Sequence, residues 1–265
     1  MANRLVNLLC GLAVCLTSAS SHAAVISIII DDLGYSHYQG KSAVQHLPAA
    51  VTFAIIPDTP AAVAVADMAV ANGHEIMLHL PMQAVSAEAP SEANAMHMDM
   101  LESEFKSQLE RDFQVFPAAI GVNNHMGSLL TRHPGHMRWL MESLAEHGNL
   151  YFVDSRTTHK TVAATIAAEM SIPHTSRNVF LDNRPGDEAL VESQLKRLTR
   201  LARQEGYALA IGHPHPVTLR VLQRRLPELK AAGFQLVPVS QYIKRQEENK
   251  LWRVSSSRSP GVAKN

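Results

Sequence analysis

The sequence predicts one α/β domain built on a parallel sheet, and three observations predict it. Short apolar runs alternate with helical segments along the chain, the order expected of parallel strands joined by crossover helices. The runs are nearly continuous in Val, Ile and Leu, as in strands buried on both faces. Polar residues recur where these runs end, at Asp31-Asp32, His79, Asn124-His125, Asp154, Asp182 and His213-Pro214-His215. In such folds ligands bind at the carboxyl ends of the strands.

In order, Val25 to Ile30 is a buried strand that ends in Asp31, Asp32 and a turn at Gly34. Ser36 to His46 is helical and stops before Pro48. Val51 to Ile55 is the second strand, stopped by Pro57. Thr59-Pro60 opens a helix with proline in its first turn, Ala61 to Ala71, closed by Asn72-Gly73. Glu75 to Leu78 is the third strand and runs into His79. Ala84 to Asp99 is rich in Ala, Ser, Glu and Met without periodicity, and is expected to be a mobile loop or lid. Leu101 to Val115 is an amphipathic helix, and Ala119 to Val122 a fourth strand ending in Asn123-Asn124-His125-Met126-Gly127-Ser128. Pro134 to His147 is a helix closed by Gly148. Leu150 to Val153 is the fifth strand and Thr161 to Met170 the next helix. Asn178 to Leu181 is the sixth strand, with Asp182-Asn183 read as a turn. Asp187 to Glu205 is a long helix, Tyr207 to Ile211 the seventh strand and Val217 to Ala232 a helix closed by Gly233. Gln235 to Val239 is the last strand, and a short helix starts at Ser240.

The two ends are read separately. Arg4, the apolar run Leu5 to Leu16 and Ser21-His22-Ala23 form the three parts of a secretory signal, with cleavage after Ala23. The apolar run is too short to span a bilayer comfortably. Residues 1–23 are therefore the signal, 24–248 one domain, and 249–265, rich in Ser, Arg and Lys, a disordered tail. Both cysteines, Cys10 and Cys15, lie inside the signal. The exported, periplasmic chain has no thiol, so any metal is held by His, Asp, Glu or Asn. About 240 residues remain, enough for one α/β barrel or one large open sheet. Lys+Arg and Asp+Glu balance at 24 each, which gives no electrostatic case for nucleic acid. A Gly-x-Ser-x-Gly elbow and a phosphate-binding glycine loop are both absent, which argues against a serine hydrolase and a nucleotide enzyme.

The strand-end residues suit metal-assisted hydrolysis. Catalytic zinc commonly has three protein ligands from His, Asp or Glu and an open position. Asp32, His79 and His125 follow the first, third and fourth strands and can form such a set. Neighbouring residues at a strand end point in different directions. Asp31 can therefore take a proton from water while Asp32 holds the cation. His213 or His215 can protonate a leaving group or stabilise an oxyanion. They flank Pro214, so only one of them needs to face the site. Asp154 is read as orienting Arg156 or a ligand, and Asn124 as steadying the site or touching substrate.

Four stretches together resemble the divergent polysaccharide deacetylase family: Ile29-Ile30-Asp31-Asp32-Leu33-Gly34, Gly73-His74-Glu75-Ile76-Met77-Leu78-His79, Asn123 to Ser128, and Gly212-His213-Pro214-His215. The resemblance covers nearly the whole chain after the signal. It implies a distorted (β/α) barrel of seven or eight strands, a divalent metal such as zinc, Asp31 as the base and Asp32 as a ligand. Ile211-Gly212-His213 approximates the family's late Leu-x-His motif, which favours His213 as the catalytic histidine. The ordinary deacetylases place a second histidine four residues after the first. Here that position is Gln83, and His125 is the expected substitute ligand, with Gln83 and His215 left in supporting or substrate-binding roles. The ordinary Arg-x-Pro motif is also absent. The resemblance implies an exported metal-dependent hydrolase of an acylated cell-envelope glycan, in carbohydrate metabolism. The alternative is an inactive deacetylase-like protein that binds peptidoglycan or an envelope partner.

Overall fold

A computed structural model describes residues 23–86, 92–148 and 150–256. Residues 1–22 of the expected signal, the middle of the expected lid and the last residues of the expected tail lie outside them. Among the described residues nine parallel strands form one sheet: β1 (Val25–Leu33), β2 (Thr52–Ile55), β3 (Ile76–Met82), β4 (Gly121–Met126), β5 (Tyr151–Asp154), β6 (His174–Ser176), β7 (Val179–Phe180), β8 (Tyr207–Gly212) and β9 (Gln235–Leu236). Between them lie helices α1 (His37–His46), α2 (Ala62–Ala71), α3 (Glu102–Val115), α4 (Pro134–Glu146), α5 (Ala163–Glu169), α6 (Glu188–Glu205) and α7 (Pro216–Ala231), with α8 (Val239–Ser256) last. No helix among the described residues is long and apolar enough to cross a membrane.

The strand order is β6-β5-β4-β3-β2-β1-β8-β7, with β9 against the start of β1. The two ends of that order, β6 and β7, are separated by only Arg177 and Asn178. Arg177 N still donates to Asp154 O on β5, at 3.0 Å, and Asn178 N already donates to Leu209 O on β8, at 3.0 Å. The chain itself therefore carries the curled sheet from one edge to the other, and the expected distorted barrel results. The expected sixth strand, Asn178 to Leu181, is the second half of this broken strand. It is broken because one stretch must leave β5 and join β8.

Period-two alternation divides the strands into two cores. On β1, Ile26, Ile28 and Ile30 pack outward against the helices, whereas Val25 and Ile29 face the barrel interior. Met77, Val153, Leu209 and Ile211 share that interior. The floor is sealed by α8: Val239, Tyr242 and Ile243 are buried in the interior cluster. Glu75 ties this floor together, accepting from Tyr151 Oη at 2.6 Å and from Ser240 N at 3.1 Å. The last helix was expected to be short. Its buried first turns anchor it, and it continues to Ser256, into the segment read as tail.

The segment from Ala84 to Asp99 is not wholly free. Met96 is fully buried and bridges Met82. Gln83 N donates to Met96 O at 2.9 Å, and Gln83 Oε1 accepts from Met98 N at 2.8 Å. Two buried side chains, Ala95 and Met96, outweigh the lack of periodicity that suggested mobility.

Candidate active site

The same alternation that buries Ile29, Met77 and Ile211 places Asp31, His79 and His213 further up the inward face, at the open mouth. Asn123 and His125 hold the matching positions on β4. By that count Asp32 would point outward with Ile30. The pairing of β1 with β2 slips between Ile30 and Leu33, however, and Asp32 adopts φ 56°. This left-handed backbone, uncommon for a residue with a Cβ, turns Asp32 back, so both aspartates line one cavity. Gly34 follows at φ 116°, where a Cβ would lie 2.1 Å from Thr59 Oγ1.

The cavity is about 500 Å³ and its walls include Asp31, Asp32, His79, Asn124, His125 and His213. Asp32 Oδ1 lies 3.1 Å from His79 Nε2 and 2.9 Å from His125 Nδ1, and the two nitrogens are 3.3 Å apart. The three expected ligands thus converge, with one donor atom each. Tetrahedral ligands about 2.1 Å from a zinc ion would sit about 3.4 Å apart, so the set suits one small divalent cation.

Asn123 fixes the tautomer of His79. Its Nδ2 donates to Asp31 Oδ1 at 2.8 Å, because a carboxylate only accepts. Its Oδ1 must then face His79 Nδ1, at 2.7 Å, and that nitrogen carries the proton. The Nε2 lone pair is left for the cluster, beside a carboxylate oxygen, an arrangement that calls for a positive charge between them. The protonation equilibria agree. Burial disfavours the charged form of His79, yet Asp31 and Asp32 raise its pKa. Burial pushes Asp31 upward, incompletely offset by His79 and His213. Burial would raise Asp32 too, but the adjoining imidazoles of His125 and His79 hold it well below the usual carboxylate range. Adjacent carboxylates driven in opposite directions are a recurrent feature of acid–base sites.

His213 faces the cavity with Nε2 3.6 Å from Asp32 Oδ2. Asp182 grips it from behind, accepting from His213 Nδ1 at 2.9 Å and from His213 N at 2.8 Å, and also from Thr218 Oγ1 at 2.7 Å. Burial would lower the His213 pKa, but Asp182 and Asp32 raise it to about 9. Asp182 is therefore a buried partner of the site, contrary to its reading as a turn. Its inward phase with Phe180 on β7 was the available signal.

The supporting residues divide. Asn124 lines the cavity and its Oδ1 accepts from Ser155 N at 2.9 Å. Asp154 is out of phase with Val153 and does not line the cavity. It accepts from Arg156 N at 2.9 Å and Thr161 Oγ1 at 3.0 Å. His215 stands behind His213 with ring centres 5.7 Å apart and is not a wall residue. Gln83 is not one either, since its amide is used by the returning loop. Arg177 and Phe180, which sequence reasoning did not single out, are in the wall.

The protein is a parallel (β/α) barrel whose mouth carries an Asp–His–His set that could hold a metal ion, beside an Asp-backed histidine. Residues 28–243 match the family described as divergent polysaccharide deacetylase, and the chain belongs to that family. It is 40% identical over 215 residues to an uncharacterized protein of Haemophilus influenzae, covering 80% of this chain and 75% of that one. Its fold is shared with an uncharacterized protein from Agrobacterium tumefaciens, with TM-score 0.78, 21% identity, and 84% and 90% of the two chains covered. The catalytic domain of a peptidoglycan N-acetylglucosamine deacetylase from Eubacterium rectale aligns with TM-score 0.51 and 11% identity, over 82% of this chain and 88% of that one.

Proposed function

We propose that the protein is an exported, metal-dependent hydrolase that removes an acyl group from a cell-envelope glycan. The observation that carries this reading is the convergence of Asp32 Oδ1, His79 Nε2 and His125 Nδ1 beside Asp31 and His213. Asp32, His79 and His125 would hold the cation, with zinc the best match to this donor set. Bound there, it supplies Lewis acidity toward an acyl carbonyl and acidifies water. The peptidoglycan deacetylase that shares the fold supports a glycan substrate.

The chain's own residues divide the proton work. Asp31, made more basic by burial, accepts a proton from the water that adds to the acyl carbon. His213, held through Nδ1 by Asp182, carries its other proton on Nε2, facing the cavity. When the bond from the acyl carbon to the sugar nitrogen or oxygen breaks, His213 gives that proton to the leaving amine or alcohol. The products are a carboxylic acid and the deacylated sugar.

The alternative, a binding protein without chemistry, rests on Gln83 standing where ordinary deacetylases have histidine. His125 supplies a third donor by another route, which weakens that objection. The test is acetate release from acetylated envelope glycans by the zinc-loaded protein. We expect release by the wild type and a fall of about 10²–10⁴-fold in Asp31→Asn. A loaded wild type that releases no acyl group from any of them would refute the reading.

A further inference from the structure

The mechanism leaves one side of the cavity unused. Arg177 sits at the barrel seam, and its Nε donates to Ser155 O at 2.6 Å while Nη2 donates to Arg156 O at 2.9 Å. Its guanidinium lies over the Phe180 ring, 4.8 Å from the ring centre. The same ring meets His213, with centroids 5.4 Å apart. One aromatic ring thus touches both the guanidinium and the imidazole of His213. A guanidinium has five N–H donors, and the backbone carbonyls take two. The remaining fork belongs to a side chain already immobilised in the cavity wall.

Arg156 stands beside it on the exposed lip of the same wall, at φ 52°. That uncommon backbone is held on both sides: Asp154 accepts from Arg156 N, and Arg177 donates to Arg156 O. Asn124 and Met126 O secure the neighbouring residues through Ser155 N and Thr157 Oγ1. Four groups therefore fix a turn whose product is an arginine at the cavity mouth. Among the described residues neither arginine has a carboxylate within ion-pair distance. Asp154, the acid next in the chain, spends its oxygens on Arg156 N and Thr161.

A half-buried cation without a counter-ion is unfavourable unless something else supplies the charge. Burial lowers the Arg177 pKa and the neighbouring Arg156 adds to that, only partly offset by the more distant Asp31 and Asp154. Arginine forks match carboxylate and phosphate oxygens two at a time, and stacking on an aromatic ring pre-organises the fork. We propose that the cavity takes a sugar unit bearing an anionic group, a carboxylate or a phosphate, bound by Arg177 and Arg156 while the acyl group meets Asp31 and His213. This deepens the hydrolase reading and rests on it.

The test is calorimetric binding to the zinc-loaded protein. The probes are a neutral N-acetylglucosamine trimer, an oligomer alternating N-acetylglucosamine with glucuronate, and N-acetylglucosamine 6-phosphate set against N-acetylglucosamine. The proposal expects at least one anionic probe to bind about tenfold or more tightly than its neutral counterpart. The glucuronate and phosphate arms identify which anion is read. That preference should weaken with added salt and collapse in Arg156→Gln, whose exposed side chain can be changed without touching the core. Arg177→Gln should lose it as well, and Arg177→Lys, which keeps charge without the fork, should restore part of it. Equal binding of neutral and anionic probes by the wild type, no binding of any anionic probe, or an undiminished preference in Arg156→Gln would overturn the proposal. Acyl release from neutral glycans with no anionic preference would refute this inference alone. Selective anion binding without any acyl release would instead refute the hydrolase reading.

Discussion

Asn123 donates to Asp31 across 2.8 Å while its other amide atom faces His79 Nδ1 at 2.7 Å. One neutral side chain therefore sets the base and a candidate ligand at once. Replacing it with Ala frees His79 to rotate and leaves Asp31 without its buried donor. We expect Asn123→Ala to weaken zinc affinity about 10–100-fold, the usual cost of removing a group that orients a metal-bound histidine. Competition titration with a zinc chelator measures it, and unchanged affinity would show that His79 is positioned by packing alone.

Asp182 is expected to matter for rate rather than for substrate affinity. Asp182→Asn lets the amide donate to His213 Nδ1, which leaves the Nε2 proton on a neutral imidazole, a far weaker acid than the imidazolium that Asp182 stabilises. The prediction is a fall in kcat of about 10²–10⁴-fold with KM nearly unchanged. A raised KM alongside the lower kcat would point instead to a distorted cavity.

Gln83 gives a contrasting expectation. Its side chain accepts from Met98 N, well away from the cluster. Gln83→Ala should keep full zinc content and lose about 0.5–1.5 kcal/mol of stability, the worth of one such hydrogen bond. Loss of zinc would show that Gln83 supports the metal site.

These cases show what the sequence carried. Asp31, Asp32, His79, His125 and His213 were legible because each follows an apolar run in an alternating βα chain. Two-residue periodicity then brings four of them to one mouth. Asp32 reaches it only through a bulge and a left-handed backbone, which no local pattern announces. Asp182 looked like a turn because strand β7 is two residues long and its partner, His213, is remote in sequence. Arg177 was invisible for a related reason: its place follows from where the barrel closes, a property of the whole sheet. The hydrogen bond from Met98 N to Gln83 was not legible because Met98 lies in a segment whose composition suggested no fixed structure.

Asp112 on α3 offers a prediction apart from the active site. It is buried, and burial raises its pKa from 3.8 to about 6, against hydrogen bonds from Gln108 and Asn94. Between those values the folded state binds more protons than the unfolded chain. Stability from this group is therefore present below pH 3.8 and is lost as pH rises through about 6. Among the described residues its Oδ2 has no hydrogen-bond partner, and an amide there avoids burying a charge. Asp112→Asn should be more stable than wild type at pH 7 by roughly 1–2 kcal/mol, and the difference should shrink toward pH 4. Thermal melts across that range check both the sign and the window.

The central claim is that Asp32, His79 and His125 hold one cation while Asp31 does not. Its most direct measurement is zinc content, by mass spectrometry, of purified Asp32→Ala, His125→Ala and Asp31→Asn. Each ligand removed from a three-residue set should strip the metal. The account predicts that Asp32→Ala and His125→Ala lose zinc, whereas Asp31→Asn retains about one ion per chain. Full occupancy in His125→Ala, or metal loss in Asp31→Asn, would contradict it.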